Sequence, residues 1–183
     1  IRNCLVGSEM CIRDSASCTS AAQGYFVSTS GATSQIPCSP GTYQGLTGQS
    51  GCLTTSLGYY TSAFGSFTQT PASLGYYVNT VGATSQQSCL AGTYQNQTAQ
   101  TTCIDTDSGY YTSVPGSPNQ IACTNGSYQP NTGQTSCILA SPGNFVSSPA
   151  STYQSPCTPG NYQPYSGQSY CIQASQGLSL IHI

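Results

Sequence analysis

The residues with chemistry to offer are cysteines: eleven in 183 residues. Thiols can hold zinc, act as nucleophiles or join as disulfides. Zinc sites converge C-x2-C or mixed Cys/His ligands, but between Ser15 and Gly177 there is neither a C-x2-C nor a histidine. A nucleophilic thiol needs a base or a cation to lower its pKa, and that span has no Lys, Arg or His. The remaining reading is structural disulfides, which form in an oxidising, extracytoplasmic compartment. No enzyme activity, metal or cofactor is expected.

Eight cysteines fall into four C-x13-C pairs, Cys38/Cys52, Cys89/Cys103, Cys123/Cys137 and Cys157/Cys171. Sequence does not fix connectivity, and two registers compete. Pairing within each C-x13-C closes a loop of constant length, whereas the other register must close spacings of both 20 and 37 residues. Constant geometry favours the first. Cys18 is then unpaired, and Cys4, 14 residues before it, is a coincidental match to the spacing.

These cysteines punctuate a repeat. Four segments follow C-x2-G-[TSN]-Y-Q-x3-[GA]-Q-x2-C, beginning at Cys38, Cys89, Cys123 and Cys157. The intervening segments follow C-x5-G-[YN]-[YF]-[VT]-x7-Q-x2-C from Cys18, Cys103 and Cys137, with Gly24, Gly109 and Gly143 in phase. Together they define a 34-residue unit. Between Cys52 and Cys89 the triplet Gly58-Tyr-Tyr60 recurs 17 residues later as Gly75-Tyr-Tyr77, a half-unit insertion over about 53–69 without cysteines of its own.

Only 3% of residues are charged, against about 25% in an ordinary soluble domain. Outside the ends the only charges are Asp105 and Asp107. Two carboxylates in one unit of four do not make a six- to eight-oxygen calcium site, so both read as solvated loop acids. The charge content excludes a basic nucleic-acid binder, and the short aliphatic runs exclude membrane insertion within this stretch. Arg2, Glu9, Arg13 and Asp14 cluster at the start, and the segments 1–15 and 178–183 resemble translated sequencing-adapter DNA. Such segments are foreign to the fold of the repeats. The expected organisation is a non-native segment at 1–15, tandem repeats over 16–177 and a non-native tail at 178–183, as in a fragment of a larger protein.

Leu, Ile, Val and Phe total 20 of the 162 residues at 16–177, too few for one globular core. In the chain-entropy description each closed loop contributes about 3 kcal/mol. Gly and Pro recur too often for helix. The expected fold class is small disulfide-rich repeats, mostly irregular with short β-strands and turns, forming an elongated rod with little or no helix. Gly24-Tyr-Phe-Val27 and Gly75-Tyr-Tyr-Val78 are expected strands; Ser39-Pro-Gly41 and Thr158-Pro-Gly160 are expected turns. The tyrosines either pack between units or present an exposed aromatic face.

C-x2-G-T-Y with a closing cysteine, alternating with a Gly-aromatic segment, resembles the ephrin-receptor-like cysteine-rich repeats, themselves similar to the modules of tumour-necrosis-factor receptors. The resemblance covers roughly 18–177. It implies a disulfide-laddered extracellular architecture. The family carries paired cysteines at module junctions, where this chain has one. Asn96-Gln-Thr98 and Asn125-Gly-Ser127 are N-glycosylation sequons. The functional expectation is an extracellular structural or adhesive repeat of a cell surface or filament, with self-association or a glycan or protein surface partner. A receptor-like or carbohydrate-binding ectodomain is the alternative, hinted at by Asp105 and Asp107 and by Tyr162, Tyr165 and Tyr170.

Overall fold

A computed structural model describes residues 9–11, 18–29 and 32–175. The chain divides into two compact units, Ile1–Gln87 with Gln97–Thr102, and Ser88–Asn96 with Cys103–Ile183. Among the described residues there is no helix, only two- and three-residue strands in antiparallel pairs. Near the start, Glu9–Cys11 pairs with Cys18–Ser20.

The repeating element is shorter than the sequence templates suggest. In the first unit Tyr25–Phe26 pairs with Ile36–Pro37, Thr42–Tyr43 with Leu53–Thr54, and Tyr59–Tyr60 with Thr70–Pro71. In the second, Thr93–Tyr94 pairs with Ile104–Asp105, Tyr110–Tyr111 with Ile121–Ala122, and Ser127–Tyr128 with Ile138–Leu139. Asn144–Phe145 with Ser155–Pro156 and Asn161–Tyr162 with Ile172–Gln173 complete the second unit's set. Within each unit successive hairpins are displaced by 17 residues. The 34-residue unit is therefore two copies of one 17-residue module, and the half-unit insertion is a whole module.

Each module opens on a four-residue turn with a left-handed glycine at its third place. At Ser39-Pro40-Gly41-Thr42 the Thr42 N–H donates to the Ser39 carbonyl at 3.0 Å and Gly41 has φ +83°. This is a type II turn, which favours proline second and requires positive φ third. A second left-handed position follows seven residues after the first, and there Ala99 (φ +58°) and Ala150 (φ +55°) stand where other modules have glycine.

Two buried positions per module form the interior. Three residues before the turn glycine the side chain is small: Ala21, Cys38, Thr55 and Ala72 in the first unit, and Cys89, Thr106, Cys123 and Ala140 in the second. Three residues after it come Val27, Gln44, Thr61 and Val78, then Gln95, Thr112, Gln129, Val146 and Gln163. The larger apolar side chains lie outside: Leu46, Phe64, Val81 and Leu90 are all exposed. Among the described residues no apolar side chain larger than valine is fully buried, and the modules are joined through a repeated set of backbone hydrogen bonds.

Those bonds repeat with the module. In the first unit the N–H groups of Gly24, Gly41 and Gly58 donate to the carbonyls of Gln44, Thr61 and Val78, at 2.7 to 2.9 Å. In the second, Gly109, Gly126 and Gly143 donate to Gln129, Val146 and Gln163 at 2.7 to 2.8 Å. The next module returns a bond through its second left-handed residue: Gly65 N–H donates to Cys38 C=O and Gly167 N–H to Ala140 C=O, each at 2.8 Å. Contacts reach one module further. A Cβ on Gly126 would collide with the carbonyl of Gly167, so the close approach itself requires glycine there. Such nearest-neighbour propagation is the energetic pattern of repeat proteins.

Candidate functional site

The candidate site is the clamp that closes each module. Cys38 is joined to Cys52, Cys89 to Cys103, Cys123 to Cys137 and Cys157 to Cys171, with Cα–Cα distances of 5.7 to 5.8 Å. The first cysteine is the small buried residue before the turn; Cys38, Cys89 and Cys123 are fully buried. The second lies just before the returning strand. Among the described side chains no cysteine is free, and the Cys18 side chain lies outside them.

Modules without cysteines are closed as well, by a glutamine at the place of the second cysteine. Gln35 Oε1 accepts the Ala22 N–H at 2.8 Å, Gln69 that of Ser56 at 2.8 Å and Gln86 that of Ser73 at 2.7 Å. In the second unit Gln120 accepts from Asp107 N–H and Gln154 from Ser141 N–H, both at 2.7 Å. Each glutamine reaches back 13 residues, where the disulfide reaches back 14. The backbone N–H it binds belongs to the residue after the cysteine equivalent. The Q-x2-C end of the intervening template already contains Gln120, in Gln120-Ile-Ala-Cys123, but its equivalence to a cysteine shows only in the hairpin register.

The two clamps go with two interiors. Disulfide modules place glutamine at the second buried position. Gln129 Nε2 donates to Ser136 C=O at 2.8 Å while its Oε1 accepts Asn131 N–H at 3.2 Å; Gln44 and Gln163 do the same with Gly51 and Leu46, and with Tyr170 and Tyr165. Glutamine-clamped modules place valine or threonine there. Thr61 and Thr112 use their hydroxyls to accept a second bond from Gly41 and Gly92 N–H.

The tyrosines divide between their two expected roles. Those in the hairpin strands, such as Tyr43, Tyr60, Tyr111 and Tyr128, are half-buried, whereas Tyr153, Tyr165 and Tyr170 are exposed. Asp105 and Asp107 are exposed too, and Asp107 takes a second bond from Gln120 Nε2 at 2.7 Å. No group of three His, Cys, Asp or Glu lies together among the described residues. A hollow of about 480 Å³ is lined by Pro142, Gly143, Cys157, Asn161, Tyr162, Gln163 and Pro164, which supply amide and phenol hydrogen-bonding groups. Among the described residues no helix is long and apolar enough to cross a membrane.

Strand pairs repeated in register, four of them closed by disulfides, define a protein of cysteine-rich repeats. No family model and no curated protein matches the chain.

Proposed function

We propose that this chain is a non-catalytic structural or adhesive repeat region of an extracellular surface or filament. The observation that carries the reading is the recurrence of one set of backbone bonds at 17-residue spacing in both compact units. The sequence is devoted to propagating a module, with disulfides in some modules and glutamine clamps in the others. Four buried or half-buried disulfides suit an oxidising compartment. The resemblance of the C-x2-G-T-Y loops to ephrin-receptor-like repeats supports the same placement, although the single junction cysteine departs from that family. An antibody to the chain should label intact, unpermeabilised source cells or the material around them. Label confined to the cell interior would contradict the proposal.

A second reading, a carbohydrate-binding ectodomain, is favoured by one observation. Tyr153 and Tyr170 occupy the same position of adjacent modules in one unit, 69% and 63% exposed, and flat aromatic faces beside neutral amides suit sugar rings. Binding to immobilised glycans that is lost in Tyr153→Ala/Tyr170→Ala would favour it over the first.

A further inference from the structure

We infer that Asn96, and not Asn125, is an N-glycan acceptor of this chain; the inference rests on the extracellular reading above. Both sequons lie within disulfide loops of the C-x2-G-[TSN]-Y-Q template, Asn96 between Cys89 and Cys103 and Asn125 between Cys123 and Cys137. Their surroundings differ. Asn96, Gln97 and Thr98 are all exposed and lie in the loop after the strand, beyond the buried Gln95. Asn125 is exposed too, but Asn125-Gly126-Ser127 is wound into the module's opening turn, with Gly126 and Ser127 buried. Ser127 N–H donates to Thr124 C=O at 3.0 Å, and the Ser127 hydroxyl donates to the same oxygen at 2.8 Å. Ser127 is only 6% exposed, and Gly126 N–H is held by Val146 C=O at 2.8 Å.

The chemistry requires the difference. In N-glycosylation the Asn carboxamide nitrogen bonds to the anomeric carbon of an oligosaccharide carried on a polyprenol diphosphate. The anomeric C–O bond breaks, the lipid diphosphate leaves with its electron pair, and the amide nitrogen gives up one proton. The hydroxyl two residues on must be free to be recognised with the amide. At Thr98 the side chain is on the surface. At Ser127 the hydroxyl is committed to a four-residue turn, an element that closes locally and fast. A sugar at Asn96 also adds hydration to a surface that carries almost no charge.

The test is the full chain secreted from cultured eukaryotic cells, with intact mass before and after N-glycosidase and peptide mapping of the resulting Asn-to-Asp conversions. One glycan is expected, at Asn96. It should disappear in Asn96→Gln and in Thr98→Ala, and persist in Asn125→Gln. A secreted, fully disulfide-bonded chain without sugar, or with sugar on Asn125 whether or not Asn96 carries one, overturns the inference while leaving the extracellular reading standing. Failure to leave the cell with its four disulfides formed contradicts both.

Discussion

Gln120 and Asp107 are joined twice, Oε1 accepting the Asp107 N–H and Nε2 donating to the Asp107 carboxylate, each at 2.7 Å. Gln120 stands 17 residues after Cys103 and 17 before Cys137. The same place in the module is thus filled by a covalent link or by a side-chain amide. The disulfide acts mainly by restricting the unfolded chain, about 3 kcal/mol for a loop of this length. The amide acts in the folded state, at about 1 kcal/mol net for one hydrogen bond.

Removing a glutamine clamp should therefore weaken a module without undoing it. Gln69→Ala and Gln86→Ala are each expected to lower stability by about 1 kcal/mol in urea unfolding of the oxidised protein. Replacing Cys123 and Cys137 together by alanine should lower it by about 2–4 kcal/mol. Equal losses from the two kinds of substitution would contradict the division of roles.

The buried glutamines of the disulfide modules should be less tolerant. Gln129→Leu keeps the bulk but leaves Ser136 C=O and Asn131 N–H without their side-chain partner. A loss of about 2–3 kcal/mol is expected, since unpaired buried polar groups carry their full desolvation penalty. A change within experimental error would show that water reaches both groups.

Thr55 and Thr106 occupy equivalent buried positions but differ in bonding. The Thr106 hydroxyl accepts Gln134 N–H at 3.0 Å, whereas Thr55 Oγ1 has no hydrogen-bond partner. Thr106→Ala should cost about 1 kcal/mol. Thr55→Ala should be neutral or stabilising, because it deletes an orphaned buried hydroxyl. Thermal melts of the two variants side by side check the sign.

Ala99 and Ala150 keep positive φ with a Cβ in place. Left-handed alanine is disfavoured by about 1–2 kcal/mol, partly offset in any change to glycine by the greater freedom glycine has when unfolded. Ala99→Gly is expected to raise stability by up to about 1 kcal/mol. Gly126→Ala should do the reverse and more strongly, because the added carbon meets the Gly167 carbonyl.

Much of this architecture can be read in the residues. Gly24, Gly109 and Gly143 mark turns, Ser39-Pro-Gly41 spells a type II turn, and the constant C-x13-C spacing favours the disulfides that the structure contains. The 17-residue module is harder to see, because its two versions share shape but not chemistry. Cysteine and glutamine at the clamp, or glutamine and valine at the second buried position, look unrelated in an identity comparison. They answer the same local need, which is to close a hairpin of only two residue pairs. Gly58-Tyr-Tyr60 and Gly75-Tyr-Tyr77 carry the true period, since two glutamine-clamped modules follow each other there. The core was illegible for a related reason: the residues that fill it are small or polar, while Leu46, Phe64 and Leu90, which composition would send inward, are exposed.

The equivalence of the two clamps is tested most directly by installing one in place of the other. Thr55 and Gln69 occupy the positions that Cys38 and Cys52 occupy in the preceding module, where the Cα atoms are 5.7 Å apart. In the oxidised double variant Thr55→Cys/Gln69→Cys, peptide mapping under non-reducing conditions should recover the two introduced thiols linked to each other, with the four original disulfides intact and stability at or above that of the parent. Free introduced thiols, or their exchange into Cys38 or Cys52, would contradict a common 17-residue module.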